Sequence, residues 1–365
     1  MEPGDAAFMR RALELAERGW GQTAPNPVVG AVVVRAGEIV GEGWHERFGA
    51  PHAEVNALAA AGDNARGSHV YVTLEPCTHY GKTPPCTDAL IRAGVSAVTI
   101  GAREPTRLAG GGADVLRRAG IAVRIGLEEQ SARELNAAFH HAAESDRPWI
   151  TLKLAVSADG AIAPPPDPDG RRPRQWLTGD AARAEVHRMR AGSDAIAVGI
   201  GTLLADDPQL TVRNFASPRV APTRVVFDRN ARTPLGSSVV TTAHEIPTVI
   251  VVGDQSLPAL QPLRGHGVEI LAARDLTDAL KLLRSRGIQS LLVEGGAGIA
   301  GALLSAGHVD RLALIETPTN LGEGALDAFA CVPSRDTVLG DFEIRELRQL
   351  GDDRLKILAR REGNV

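Results

Sequence analysis

Two stretches, His52-Ala-Glu-Val-Asn-Ala-Leu-Ala-Ala-Ala61 and Glu75-Pro-Cys-Thr-His-Tyr-Gly-Lys-Thr-Pro-Pro-Cys86, hold the densest chemistry in the chain. The first is rich in helix formers and ends at Gly62, while Val70, Val72 and Leu74 alternate like a half-buried strand. The second runs through a Pro/Gly loop into a helix over residues 86–93 that stops at Gly94. Helix, strand, loop and helix in this order predict a layered α/β domain.

Working upstream, Asp5 is placed to cap a helix reaching Glu17 and stopping at Gly19, and residues 28–34 and 38–41 read as strands around Ala36-Gly37. A loop over 43–51 leads back to His52. Downstream, residues 95–100, 113–119 and 121–125 read strand, helix, strand, and a helix near 128–143 closes the domain. Ser145-Asp-Arg-Pro148 is a polar breaker before a new strand over 149–156, so the expected domains are 1–145 and 146–365. The second half alternates again, with strands at 195–198, 224–227, 248–252, 268–271, 291–294 and 312–316 and helices at 180–190, 276–285 and 299–305. Residues 164–173, Pro-Pro-Pro-Asp-Pro-Asp-Gly-Arg-Arg-Pro, form a rigid polar loop.

A length of 365 residues suits two domains, and 44% apolar with 23% charged residues is globular composition. Forty basic residues against 44 acidic ones give a net charge of −4, and aromatics are only 4%. No basic field or stacking surface for nucleic acid or an anionic membrane follows, so a small substrate is expected. The opening Met1-Glu-Pro-Gly-Asp5 carries acid where a secretory leader carries base, and Arg10, Arg11 and Glu14 interrupt residues 8–17. Without an apolar run of spanning length, the expectation is a cytoplasmic protein. Three cysteines, Cys77, Cys86 and Cys331, are too few for a disulfide framework in a chain this long and are free to bind metal; Cys331, without a neighbouring partner, reads as structural.

His52, Cys77 and Cys86 supply three zinc ligands and leave the fourth position to water, the open geometry of a catalytic site. Glu54 is the candidate proton shuttle, a carboxylate outside the metal's ligands. Residues two apart on a helix do not share a face, so His52 and Glu54 reach one water only if His52 sits at the cap or first turn, where Pro51 can start the helix. Pro85 likewise suits the turn before Cys86, whose thiolate a helix N-terminus favours. The pieces match the zinc deaminase signature, except that eight residues rather than two separate the cysteines. Singly, each residue also fits a buried thiol or a helix-cap histidine; the ordered set points to zinc. His79 reads as a group behind the ligands or a solvated one.

Pro25-Asn-Pro-Val-Val-Gly30, Gly43-Trp-His45, His52-Ala-Glu54 and Pro76-Cys-Thr-His-Tyr-Gly-Lys-Thr-Pro-Pro-Cys86 together resemble the bifunctional riboflavin-biosynthesis deaminase/reductase family, which has the long cysteine loop. The resemblance implies an α/β chain: a cytidine-deaminase-like α/β/α domain, then a dihydrofolate-reductase-like α/β domain. It implies hydrolytic deamination of a diaminopyrimidinone ribosylamine phosphate, with Asn26, His45 and Lys82 contacting substrate. Read alone, these three are equally a turn asparagine, a loop histidine and a solvated lysine. Where that family carries Asp-Pro-Asn-Pro, this chain has Glu104-Pro-Thr-Arg107, so two expected substrate contacts are longer or lost.

In the second half, Gly296-Ala-Gly-Ile-Ala-Gly301 follows a strand, opens a helix, and precedes Glu316 by twenty residues, which formally fits a dinucleotide fingerprint or else a tight packing turn. Leu152-Lys-Leu-Ala-Val-Ser-Ala-Asp-Gly160, Gln175-Trp-Leu-Thr178, Leu203-Leu-Ala-Asp-Asp-Pro208, Leu210-Thr-Val-Arg213 and Val293-Glu-Gly-Gly296 are similar to the same family's reductase half. That likeness implies reduction of the ribose to a ribityl chain with NADPH, so Glu316 is not a ribose clamp. It assigns Ala155, Trp176, Thr202, Asp206 and the turn Gly296, Ala297, Gly298, Ile299, Ala300, Gly301 and Ala302 to NADPH. Arg174, Arg190, Leu210, Arg213 and Glu294 fall to the substrate, where arginines suit a sugar phosphate.

Structural roles stay open for Arg190 as a helix-end charge, Asp206 as a turn residue and Trp176 as core. Arg174 stands where the family has Ser and Ala158 where it has Leu; Arg174 either exchanges a hydroxyl contact for a charge or points to solvent. Two other readings are a nucleic-acid deaminase, which the charge and aromatic content oppose, and a non-catalytic zinc-stabilised binding protein, which Glu54 opposes. The expected cofactors are Zn2+ and NADPH, the expected partner a phosphorylated pyrimidine, and dimerisation through the second domain is a family-level expectation.

Overall fold

A computed structural model describes residues 4–332 and 334–361. Residues 1–3, on which part of the leader reading rests, lie outside them. The chain forms two compact units, Met1–Glu144 with Pro218–Val220, and Ser145–Ser217 with Ala221–Val365.

The first unit is built on a sheet of order β2-β1-β3-β4-β5. In it β1 (Gly30–Arg35) is antiparallel to β2 (Glu38–Trp44) and β3 (His69–Leu74), while β4 (Ala97–Ala102) and β5 (Ala122–Ile125) continue in parallel. Period-two alternation divides the strand residues between two faces. Val32, Val34 and Tyr71 meet Met9, Ala12 and Leu15 of α1 (Asp5–Glu17). Ala31, Val33, Val70 and Val72 meet Ala57 of α2 (Ala53–Ala61), Leu90 of α3 (Cys86–Ala93) and Leu116 of α4 (Gly112–Arg118). With α5 (Glu129–Leu135) and α6 (Ala137–Glu144) this is a three-layer α/β/α unit. Close contact sets the position of α2: a Cβ added to Gly43 of β2 would stand 2.3 Å from Ala57 N and 2.6 Å from Ala53 O. Only glycine lets the helix lie directly on the strand.

Three expectations change here. Asp5 does not cap α1, whose N-cap is Gly4; its buried carboxylate instead accepts the Tyr71 hydroxyl at 2.5 Å and Arg124 Nη1 at 2.9 Å. β3 is not half-buried, because it lies between β1 and β4 with helices on both faces, and residues 70–74 are all buried. The helix expected near 128–143 is two helices. Asn136 breaks it, its side chain accepting from Val28 N at 2.9 Å and donating to Val28 O at 2.8 Å.

The second unit holds a nine-stranded sheet of order β11-β10-β9-β8-β12-β6-β13-β16-β15. β6 (Trp149–Val156), β8 (Ala195–Gly199), β9 (Thr223–Phe227), β10 (Thr248–Val252), β11 (Glu269–Ala272), β12 (Ser290–Glu294) and β13 (Arg311–Glu316) run parallel. β15 (Phe342–Leu350) and β16 (Asp353–Arg360) form an antiparallel hairpin on the β13 edge, absent from the expected strands. A short pair, β7 (Ala161–Ala163) and β14 (Leu326–Asp327), stands apart.

On one face, α11 (Leu276–Ser285) and α12 (Ala297–Ser305) bury Leu280, Leu283, Ala300 and Leu303 against Leu152, Leu154 and Val293. On the other, α8 (Ile200–Asp206), α9 (Ser238–Thr241) and α10 (Leu260–Gly265) cover Ile196, Val198, Val226 and Ile250. α7 (Asp180–Ala191) packs Ala182 and Val186 on Ala313 and Ile315, and α13 (Arg335–Gly340) precedes the hairpin. Among the described residues no helix is long and apolar enough to cross a membrane.

Candidate active site

Helix starts and a strand end converge on one side of the first sheet. His52 is the N-cap of α2 with extended backbone (φ −75°, ψ 166°), and Glu54 occupies the first turn. Pro85 caps α3, making Cys86 its first residue, and Cys77 follows the end of β3. His52 Nδ1 lies 3.2 Å from Cys86 Sγ and 3.6 Å from Cys77 Sγ, and the three ligand atoms all fall within 4.8 Å of one another. A tetrahedral zinc bonded at about 2.3 Å to sulfur and about 2.0 Å to nitrogen requires ligand atoms roughly 3.5–3.8 Å apart, so the trio fits that ion.

The charges prepare for a cation. The Cys77 thiol is drawn down to about 4, first by the hydrogen bond from the Cys86 thiol and then, against burial, by His52. The Cys86 thiol is pushed up by the same shared proton and by burial. One proton between two sulfurs is what a bound metal would displace. Glu54 is 3% exposed, and burial raises its carboxyl above the usual range, the protonation behaviour a proton shuttle needs.

A cavity of about 340 Å³ opens on this cluster, and Asn26, His45, Glu54, Cys77, Lys82 and Glu104 are among the residues lining it. His45 is 2% exposed, and its Nδ1 lies 3.2 Å from Pro51 O. That carbonyl can only accept, so Nδ1 carries the proton and Nε2 takes the Asn26 amide at 3.4 Å. Burial lowers the His45 pKa, which keeps the ring neutral. Lys82 lies with Nζ 4.2 Å from the centroid of Phe48. His79 faces the same cavity, and its Nδ1 is buried without a protein partner.

Where the Glu104-Pro-Thr-Arg107 departure falls, the two exchanged residues satisfy each other. Glu104 Oε1 accepts Thr106 N at 3.0 Å and Thr106 Oγ1 at 2.5 Å, and both still line the cavity. Glu75 holds that wall, accepting Glu104 N at 3.2 Å and Ala113 N at 2.9 Å. Sequence reading missed Phe48 and Glu75 as site residues. The only available signal for Glu75 was its place two residues before Cys77.

In the second unit, Arg190 of α7 and Glu294 at the end of β12 form a largely buried two-point ion pair, and Arg190 Nη1 also donates to Thr211 O at 2.8 Å. Lys153, a residue the sequence reading passed over inside an ordinary strand pattern, joins this cluster from β6. Burial lowers its pKa, with Arg190 adding to the shift and Glu294 and Asp206 opposing it. Asp206 is raised by burial against the pull of Arg174 and Lys153. Ala155 follows Lys153 by two positions and so shares its side of β6.

Gly295 and Gly296 have φ of +72° and +86° before α12, and a Cβ on Gly296 would stand 2.6 Å from Thr202 Oγ1. This is a cradle that a side chain would fill, and it suits the close approach of a dinucleotide pyrophosphate to a helix start. The fit is confined to the first residues of the turn. Ala300 is fully buried, and a Cβ on Gly301 would stand 2.5 Å from Cys331 Cβ, so those two positions serve packing while Cys331 itself is exposed.

Trp176 is 65% exposed, with the guanidinium of Arg174 5.3 Å from its ring centroid, so it is not core and Arg174 is held on it. Arg213 is exposed, its N taking a bond to His187 Nδ1 at 2.9 Å. Leu210 is 2% exposed at φ +52°, which leaves only its backbone for a ligand. Glu316 is engaged by Arg354 and Lys356 of β16, each at 2.6 Å.

Comparison with known proteins follows the same division. Residues 3–102 match the cytidine and deoxycytidylate deaminase zinc-binding region, and residues 148–353 match the RibD C-terminal domain. The riboflavin biosynthesis protein RibD of Aquifex aeolicus is 39% identical over 99% of this chain and 96% of its own length. That of Escherichia coli is 40% identical over 96% of this chain and 97% of its own. Among solved structures, Acinetobacter baumannii RibD superposes with a TM-score of 0.82 at 36% identity, covering 98% of this chain and 99% of the other. A Thermotoga maritima diaminohydroxyphosphoribosylaminopyrimidine deaminase/5-amino-6-(5-phosphoribosylamino)uracil reductase gives 0.83 at 35% identity, covering 98% of each.

Proposed function

Because the chain belongs to the RibD family of riboflavin biosynthesis proteins, we propose that its two halves divide two successive reactions, deamination over residues 1–145 and reduction over residues 146–365. The protein is a bifunctional deaminase and reductase with zinc and NADPH as its cofactors. The first substrate in this reading is 2,5-diamino-6-(5-phosphoribosylamino)pyrimidin-4(3H)-one, and the final product is 5-amino-6-(5-phosphoribitylamino)uracil.

The observation that carries the deaminase reading is His52 Nδ1 and two cysteine sulfurs within 4.8 Å of one another in a cavity that also holds buried Glu54. Zinc, when bound by His52, Cys77 and Cys86, supplies a water activated for attack near neutral pH. Glu54 takes a proton from that water and returns it to the departing amine; one C–N bond is exchanged for one C–O bond, and ammonia leaves. Asn26 and neutral His45 orient the pyrimidine edge, and Lys82 meets negative charge on the sugar side.

In the second half, NADPH supplies the hydride when it is bound, with Gly296, Ala297, Gly298 and Ile299 receiving its pyrophosphate and Ala155, Trp176, Thr202 and Asp206 beside it. Lys153 is the proton donor for the reduced sugar, because burial makes its ammonium readier to release a proton. Arg190 and Glu294 fix the site around it, and Arg174, Arg213 and the Leu210 backbone hold the sugar phosphate. A cytoplasmic location and association of copies through the second unit complete the reading, the latter supported by exposed Ile344 and Leu347 on edge strand β15.

Mass spectrometry of zinc-loaded protein with the diaminopyrimidinone phosphate, first without and then with NADPH, tests this. Exchange of an amine for oxygen followed by gain of two hydrogens is expected. An unchanged substrate in both tubes, with zinc bound, would sink the reading.

A further inference from the structure

The cavity of the first unit has one cation on its wall, Lys82, assigned above to the sugar side of the substrate. A second lies beside it and comes from a distant part of the sequence. Pro218–Val220, in the connection between α8 and β9, belong to the first unit. Arg219 N donates to Gly21 O at 2.9 Å and its Nη2 to Ala24 O at 2.5 Å, which pins the guanidinium to the loop leading to Asn26. Its Cζ stands 4.9 Å from the ring centroid of Phe48, and Lys82 Nζ stands 4.2 Å from the same centroid.

Phe48 thus carries two cations on one ring. Each gains from the π system, but two like charges brought to one aromatic repel each other. Among the described residues no carboxylate pairs with either of them. Lys82 lies along the same loop, where Gly49 has φ +84° and a Cβ added there would be in van der Waals contact with Lys82 Cδ. Arg219 is exposed and retains donors not used by Ala24. Two held, unpaired cations sharing the Phe48 ring of the cavity wall form a receptor for a dianion, and a guanidinium suits phosphate oxygens in particular.

We propose that Arg219 acts with Lys82 as the second phosphate-recognition residue of the deaminase, so that the first unit's substrate specificity depends on a residue encoded beyond residue 145. The inference rests on the reading that this unit deaminates a ribosylamine 5′-phosphate. Two variants of the zinc-loaded full chain separate charge from bracing. Arg219→Gln keeps an amide donor for Ala24 but loses the charge, whereas Arg219→Lys keeps the charge and loses the planar fork.

Deamination kinetics are measured on the phosphorylated substrate and its dephosphorylated ribosyl analogue, with reductase activity as a control for folding. The Gln variant is expected to raise KM for the phosphorylated substrate about tenfold at nearly constant kcat, to leave the analogue unaffected, and to spare reduction. The Lys variant is expected to stay within about threefold of the parent. Equal effects on both substrates, no effect of Gln, or a Lys variant as impaired as Gln would each overturn the proposal.

Calorimetric titration with ribose 5-phosphate keeps this test independent of the turnover reading. The reductase site is common to parent and variant, so affinity lost in Arg219→Gln belongs to Arg219. Loss there in a protein that does not turn over the diaminopyrimidine would preserve the anion site and refute the substrate. Turnover without such loss would do the reverse.

Discussion

Glu54 and Lys153 illustrate how one physical effect serves opposite chemistry. Burial raises the first and lowers the second, bringing a carboxylate and an ammonium closer to exchanging protons at working pH. Replacing Glu54 by Gln keeps its shape but removes the shuttle. Deamination should fall by about 10²–10⁴-fold while metal analysis still finds one zinc per chain and NADPH oxidation on the deaminated intermediate is unchanged. Lys153→Met, similar in length and without a proton to give, should reverse the pattern, abolishing reduction and sparing deamination in the same two assays. The largely buried pair of Arg190 and Glu294 makes a different prediction. Arg190→Ala removes the two-point partner of Glu294 and leaves Lys153 as the cation beside that carboxylate, and should destabilise the second unit by up to about 3 kcal/mol in denaturation.

At the scale of elements, α6 contains a pH-sensitive weakness. His140 is 5% exposed, neither ring nitrogen has a protein partner, and burial followed by Arg133 lowers its pKa to about 4. The unfolded chain, with an ordinary histidine near 6.5, therefore binds the proton that the folded one refuses. Stability from this group is complete above about pH 6.5 and is lost as pH falls toward 4; melting of the first unit at pH 5 and 7.5 should differ less in His140→Phe than in the parent. Contact between α2 and β2 is steric, and Gly43→Val should lift the helix start that carries His52 and Glu54, lowering zinc affinity as measured by chelator competition.

Helices bounded by local signals were legible in the sequence. α3 has Pro85 before it and Gly94 after it, and α11 has an Asp275 side-chain cap. The β15–β16 hairpin was not, because Glu343, Arg345, Glu346 and Arg348 obscure its alternation and its partner strand β13 lies earlier in the chain. The zinc ligands were readable because their chemistry is rare at that spacing. Lys153 was not, since a lysine within a strand acquires meaning only when folding brings Arg190 and Glu294 beside it.

For the whole molecule, division into two units with separate cores makes metal a local stabiliser. Chelation of zinc should abolish deamination, preserve reduction and lower only one of two calorimetric transitions; a uniform shift of both would contradict that separation. The family match spans both units, and the exchanged pair Glu104 and Thr106 remains within the cavity wall, so the departures from family pattern are local. The first unit is nonetheless discontinuous. Its last three residues are translated only after more than seventy others that belong elsewhere. A gene divided after codon 144 would therefore yield an upstream product that keeps Gly21 and Ala24 but lacks the Arg219 they hold, and recombination that swaps the downstream half would bring a foreign residue against the Phe48 ring of the zinc cavity.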